Sequence, residues 1–180
     1  QVLHDMGRIS RDLKLTILWL SLPVNALLGG FLSNHFDQNI ASLATLILVG
    51  IAAFWLIFNP RSHPYLATFC IFLSIIFVNT ASLSHVSGYA DAHIEYYHIM
   101  KSEWNLSRAT KIKDIITSIN ITIPTIVQIS GLSTTTVYLY ILPLIYALIG
   151  PLSLLSYKNI FGTEISVSST LVIALGSPLL

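Results

Sequence analysis

The sequence predicts an all-α, polytopic membrane protein. About five helices would cross the bilayer, and an amphipathic helix would lie in a long external segment. Two observations carry this. Only 9% of the 180 residues are charged while 54% are hydrophobic, against roughly 25% charged in a soluble domain; the mean hydropathy is +0.75. The apolar residues also fall into runs of about 20, the length a helix needs to cross the hydrocarbon core. A net charge of +1 with no basic face gives nucleic acid nothing to bind. The single Cys70 rules out an internal disulfide and reads as a small packing residue.

The first span is expected over residues 13–32, followed by the polar corner Ser33-Asn-His-Phe-Asp-Gln38. Asp5 and Asp12 interrupt the basic residues before it, which argues against a cleaved signal peptide. The second covers 40–58 and closes in Asn59-Pro-Arg-Ser-His-Pro64; the third covers 65–83. Polar sequence then intervenes before a fourth span over 135–155. Lys158 to Thr163 is expected as a short turn, and 165–180 as the start of a fifth span. Three regions result: 1–86 with three spans, 87–133 as an external loop, and 134–180 with the last two helices. With Gln1 first and Leu180 inside an apolar run, the chain reads as part of a longer protein.

Lys and Arg near the spans set the orientation. Arg8, Arg11 and Lys14 precede span one, Arg61 separates spans two and three, and Lys158 separates four and five. Alternation puts these in the cytoplasm, in a cell membrane, and 87–133 outside. Lys101, Arg108, Lys111 and Lys113 oppose this weakly, since long loops follow the rule poorly. Within the external segment, Ile112, Ile115, Ile116, Ile119 and Ile123 recur at helical spacing over 107–123. Asn105 or Ser107 would cap that helix and Pro124 would end it, with the isoleucines towards acyl chains or other external structure.

Ionisable groups concentrate in Ser87-Gly-Tyr-Ala-Asp-Ala-His-Ile-Glu-Tyr-Tyr-His-Ile-Met100. Asp91 and Glu95 share a face whether the stretch is helical or extended, with His98 beside them in a helix and His93 in a strand. Two carboxylates on one face near a bilayer repel each other and favour a proton, a cation or a metal between them. That suits a general base, or a divalent ion held by Asp91 and Glu95. The same spacing also fits a water-facing start to an external loop. Asn105-Leu-Ser107 and Asn120-Ile-Thr122 fit the glycosylation sequon, a pattern that arises readily by chance.

The order of motifs resembles a known family. The third span runs into Gly88 and Asp91, then His93, Glu95, Tyr96, Tyr97 and Trp104. Thr122-Ile-Pro-Thr-Ile126, Gly131-Leu132 and Tyr140-Ile-Leu-Pro143 follow. Over residues 65–160 this resembles the amino-terminal part of archaeal polytopic membrane proteins of the GT-C glycosyltransferase type. More distantly it is similar to protein O-mannosyltransferases, aminoarabinose transferases and oligosaccharyltransferase catalytic subunits. The resemblance implies a catalytic acidic residue at Asp91, supported by Glu95, in the first external loop. It implies a sugar donor carried on polyprenyl phosphate, and a divalent ion such as Mg or Mn as a possible cofactor. Lys101, Arg108, Lys111 and Lys113 would then meet the phosphate, and Tyr96, Tyr97, Trp104, His93 and His98 the sugars. Each also reads as an interfacial or solvated side chain. Two spans precede the acidic loop here, whereas the simplest plan of that family begins with the span that carries it.

Two other readings compete. A non-catalytic membrane subunit or anchor would use the external segment to bind a membrane-protein partner. A transporter subunit would place ionisable groups inside its spans, and spans two and three have none.

Overall fold

The computed structural model describes residues 2–36, 40–83, 123–133 and 136–176. Every regular element among them is helical. Two compact units are present, one comprising 1–82 and 146–180 and the other 83–145.

Unit one begins with α1 (Val2–Phe36), a helix of 35 residues. At 1.5 Å per residue it runs about 52 Å, well beyond a hydrocarbon core of about 30 Å. Only Asp12–Ser33 is apolar enough to cross. Its buried face is Trp19, Leu22, Ala26 and Ser33, a spacing of three and four that keeps one stripe inward. The sequence expectation began this helix at residue 13; the charged turns before it are helical as well.

The second helix, α2 (Ile40–Phe58), lies against α1 and has the predicted bounds. Ser42, Thr45, Val49, Ala53 and Leu56 form its buried stripe. Small residues let the two backbones approach, as in membrane helix pairs generally. A Cβ on Gly29 would come within 3.2 Å of the Ala41 carbonyl oxygen and of Thr45 Oγ1. Near the other end, the Trp19 and Trp55 rings pack 5.8 Å apart. The outward faces of both helices, Leu18, Val24, Leu28, Ile47, Ile51 and Phe54 among them, are exposed. Lipid is the solvent that suits them.

A tight turn leads to α3 (Pro64–Leu83). His63 adopts φ 50 there, and its carbonyl accepts the Ala67 N–H at 2.9 Å. Unlike its neighbours, α3 is buried on almost every side from Ala67 to Ile75, with Phe69 alone half-buried, as suits a helix packed inside unit one. Two of its hydroxyls turn back on their own helix: Thr68 Oγ1 donates to the Pro64 carbonyl at 2.8 Å and Ser74 Oγ to the Cys70 carbonyl at 2.6 Å. No water is needed to satisfy them, which is what an apolar surrounding demands.

Unit two contains α4 (Ile123–Ser130). Pro124 stands in its first turn, where a missing N–H costs nothing. The helix expected over 107–123, which Pro124 would end, lies outside the described residues but for Ile123. Gly131, with φ 69, closes α4, and its N–H bonds the Val127 carbonyl at 2.9 Å. Ser133 then caps the next helix by accepting the Thr136 N–H at 3.1 Å. A π-helical turn, Val137–Ile141, leads into α5 (Leu142–Ala147). The Leu142 N–H reaches back five residues to the Val137 carbonyl. Pro143 follows at once; it has no N–H for the carbonyl one turn back, so the wider turn falls where ordinary helical pairing is interrupted. Val137 is fully buried against Ile126, Val127, Ile141 and Leu142.

The last helix, α6 (Ile149–Gly176), returns to unit one. Unbroken, its 28 residues would run about 42 Å, but Gly162 leaves the helix with φ 78 and ψ 173. The turn expected over Lys158–Thr163 is therefore compressed into one residue, and Lys158 to Phe161 stay helical. The piece before the break approaches α3 through Gly150, which faces Phe72 and Thr68. The piece after it buries Ser166, Val167, Thr170, Leu171 and Ala174.

Among the described residues, three stretches are long and apolar enough to cross a membrane: Asp12–Ser33, Ile40–Phe58 and Leu139–Gly176, the last containing the break. The chain thus has the build of a helical membrane protein. The described apolar part of α3, Pro64–Val78, is shorter.

Candidate functional site

The acidic motif lies between two described helices in the sequence. On its amino-terminal side α3 ends at Leu83, eight residues before Asp91. On its carboxy-terminal side α4 starts at Ile123. Asp91, His93, Glu95, Tyr96, Tyr97, His98, Lys101, Trp104, Arg108, Lys111 and Lys113 all fall outside the described residues, as does the expected helix over 107–123.

What is described is the support. The helix that feeds the motif is the one unit one packs around. Phe72 and Ile71 are fully buried, and the close approach of Gly150 locks Phe72 from the other side.

Within the spans, the buried polar side chains of the described residues are Ser33, Ser42, Thr45, Thr68, Ser74, Ser166 and Thr170, all hydroxyls. Thr45 Oγ1 donates to the Ala41 carbonyl at 2.9 Å and Ser166 Oγ to the Gly162 carbonyl. Trp19 Nε1, Ser42 Oγ and Thr170 Oγ1 are buried without a partner. No group of three His, Cys, Asp or Glu side chains close enough to hold a metal occurs among the described residues.

A second polar grouping sits at the end of unit one where α1 carries Asp12 and α3 begins. His63 Nε2 lies 3.9 Å from Asp12 Oδ1. Lys158 Nζ donates to Tyr65 Oη at 3.4 Å and lies 5.6 Å from the centre of the Tyr65 ring. Asp12, His63, Tyr65 and Lys158 therefore share one end. The pairing of Tyr65 with Lys158 was not foreseen. The two are 93 residues apart, and no local pattern marks such a contact.

No family model, curated protein or solved structure matches the chain.

Proposed function

We propose that the chain is the amino-terminal part of a GT-C-type membrane glycosyltransferase, similar to the archaeal proteins of that type. It transfers a sugar from a polyprenyl-phosphate donor to an acceptor at the outer face of the cell membrane. One observation carries this: Asp91 and Glu95, the most closely spaced carboxylates of the sequence, come eight and twelve residues after the end of α3, a deeply buried helix. A lipid-borne donor keeps its tail in the bilayer, so its phosphate can meet an acceptor only near the end of a span.

In this scheme Asp91 accepts the proton of an acceptor hydroxyl, whose oxygen forms a bond to the anomeric carbon. The bond from that carbon to phosphate breaks, and polyprenyl phosphate leaves with the electron pair. The like charge of Glu95 repels that of Asp91 and so raises its affinity for the proton. A divalent ion such as Mg or Mn, if held by the two carboxylates, would stabilise the departing phosphate. Lys101, Arg108 and Lys111 offer it counter-charge, while Tyr96, Tyr97, Trp104, His93 and His98 would contact the sugars. The amino terminus, Arg61 and Lys158 are cytoplasmic in this arrangement.

The test is transfer of radiolabelled sugar from a polyprenyl-phosphate donor, using full-length protein in membranes at matched expression. Asp91→Asn keeps the shape of the side chain and removes its charge. Transfer should fall by about 10²- to 10⁴-fold, the usual cost of losing a catalytic base. Near wild-type transfer would instead make the motif a solvated loop and leave the anchor reading standing.

A further inference from the structure

We infer that the end of unit one carrying Tyr65 and Lys158 holds the phosphate headgroup of an anionic membrane phospholipid. This inference stands apart from the transferase reading and uses none of the residues assigned to its site.

Lys158 stands in the last turn before the break at Gly162, in a strongly apolar piece of helix. Leu155 before it and Ile160 and Phe161 after it are exposed, so the ammonium sits where apolar surface gives way to a polar end. An ammonium has three N–H donors and Tyr65 Oη engages one. No carboxylate lies within ion-pair distance of Lys158 among the described residues: Asp12 faces His63, and Glu164 makes no ion pair there. The phenol that accepts from Lys158 keeps its own O–H to donate. Lysine and tyrosine together therefore offer N–H and O–H donors side by side with a positive charge not neutralised within the described residues. Phosphate oxygens match that set. Arg61, exposed in the turn that leads to Tyr65, adds a second cation without a described acidic partner.

The surrounding surface decides the source of the phosphate. A soluble anion would use the polar groups alone. A phospholipid would also lay its acyl chains on exposed apolar side chains one turn from the lysine, Leu155 and Phe161. Basic residues at a membrane surface attract anionic lipid in this way.

The experiment is native mass spectrometry of the full chain released from micelles holding equal amounts of phosphatidylglycerol and phosphatidylcholine. Wild type should retain phosphatidylglycerol preferentially. Lys158→Met keeps the apolar stem and should lower that preference about fivefold, the order of one basic residue at an anionic surface. Lys158→Arg should keep it, and Tyr65→Phe should lower it while leaving the helix content unchanged by circular dichroism. Lys14→Ala, at the same end, should leave it intact. Equal retention of the two lipids by wild type overturns the proposal. So does an equal loss in Lys14→Ala, which would mean diffuse attraction, or displacement of the lipid by excess inorganic phosphate.

Discussion

Gly150 leaves no room for a methyl group. A Cβ there would stand 2.8 Å from Phe72 Cδ2 and 3.0 Å from the Thr68 carbonyl oxygen. Neither neighbour can yield cheaply: Phe72 is fully buried, and the other contact is backbone. Gly150→Ala should therefore force α6 away from α3 and cost about 1–3 kcal/mol, the usual scale of overpacking. Gly50, with open space around the same added atom, supplies the control. There an alanine should be neutral or stabilising by up to about 1 kcal/mol, because glycine loses more backbone freedom in a helix. Unfolding of both variants in mixed micelles with rising SDS measures the difference, and equal midpoints would show that the close approach is not obligatory. Both glycines stand alike in apolar runs of the sequence, and only the partner helix distinguishes them.

At the scale of elements, Gly162 is the residue on which α6 turns. Its φ of 78 and ψ of 173 lie in a region that side chains beyond glycine rarely enter, at about 1–3 kcal/mol. Gly162→Ala should lower the unfolding midpoint accordingly, while Gly176→Ala, with open space around it, should not. A Gly162→Ala protein as stable as wild type would mean the break can be absorbed elsewhere. This residue also illustrates what was legible beforehand. The bounds of α2 could be read because composition changes abruptly at Ile40 and at Asn59. The break after Lys158 could be read as a turn, but not its confinement to one residue, since a left-handed glycine leaves no trace in polarity. Pro124 is ambiguous for a related reason: proline suits the first turn of a helix as well as the residue after its end, and the sequence around it favours neither. The charged start of α1 lacks the apolar pattern on which its recognition depends.

For the molecule as a whole, the spans were more legible than the site. A bilayer constrains length and polarity together, so a helical stretch announces itself. The function of Asp91 depends on what faces it, and one-dimensional spacing cannot supply that. What the fold adds is a grouping: Asp12 approaches His63, and Lys158 reaches Tyr65, so the basic segments near residues 12, 61 and 158 lie at one end of unit one. The proposed topology sets this end in the cytoplasm and the acidic motif outside. Single cysteines at Arg61, Thr110 and Lys158 test it in intact cells with a thiol reagent that cannot cross the membrane. The native Cys70 is buried and should give little background. Thr110→Cys should label from outside, whereas Arg61→Cys and Lys158→Cys should label only after the membrane is opened. Unequal labelling of positions 61 and 158 would contradict the shared end. Labelling of both with protection of 110 would keep the bundle and invert it, moving the acidic motif to the cytoplasmic face and removing the basis for an externally acting transferase.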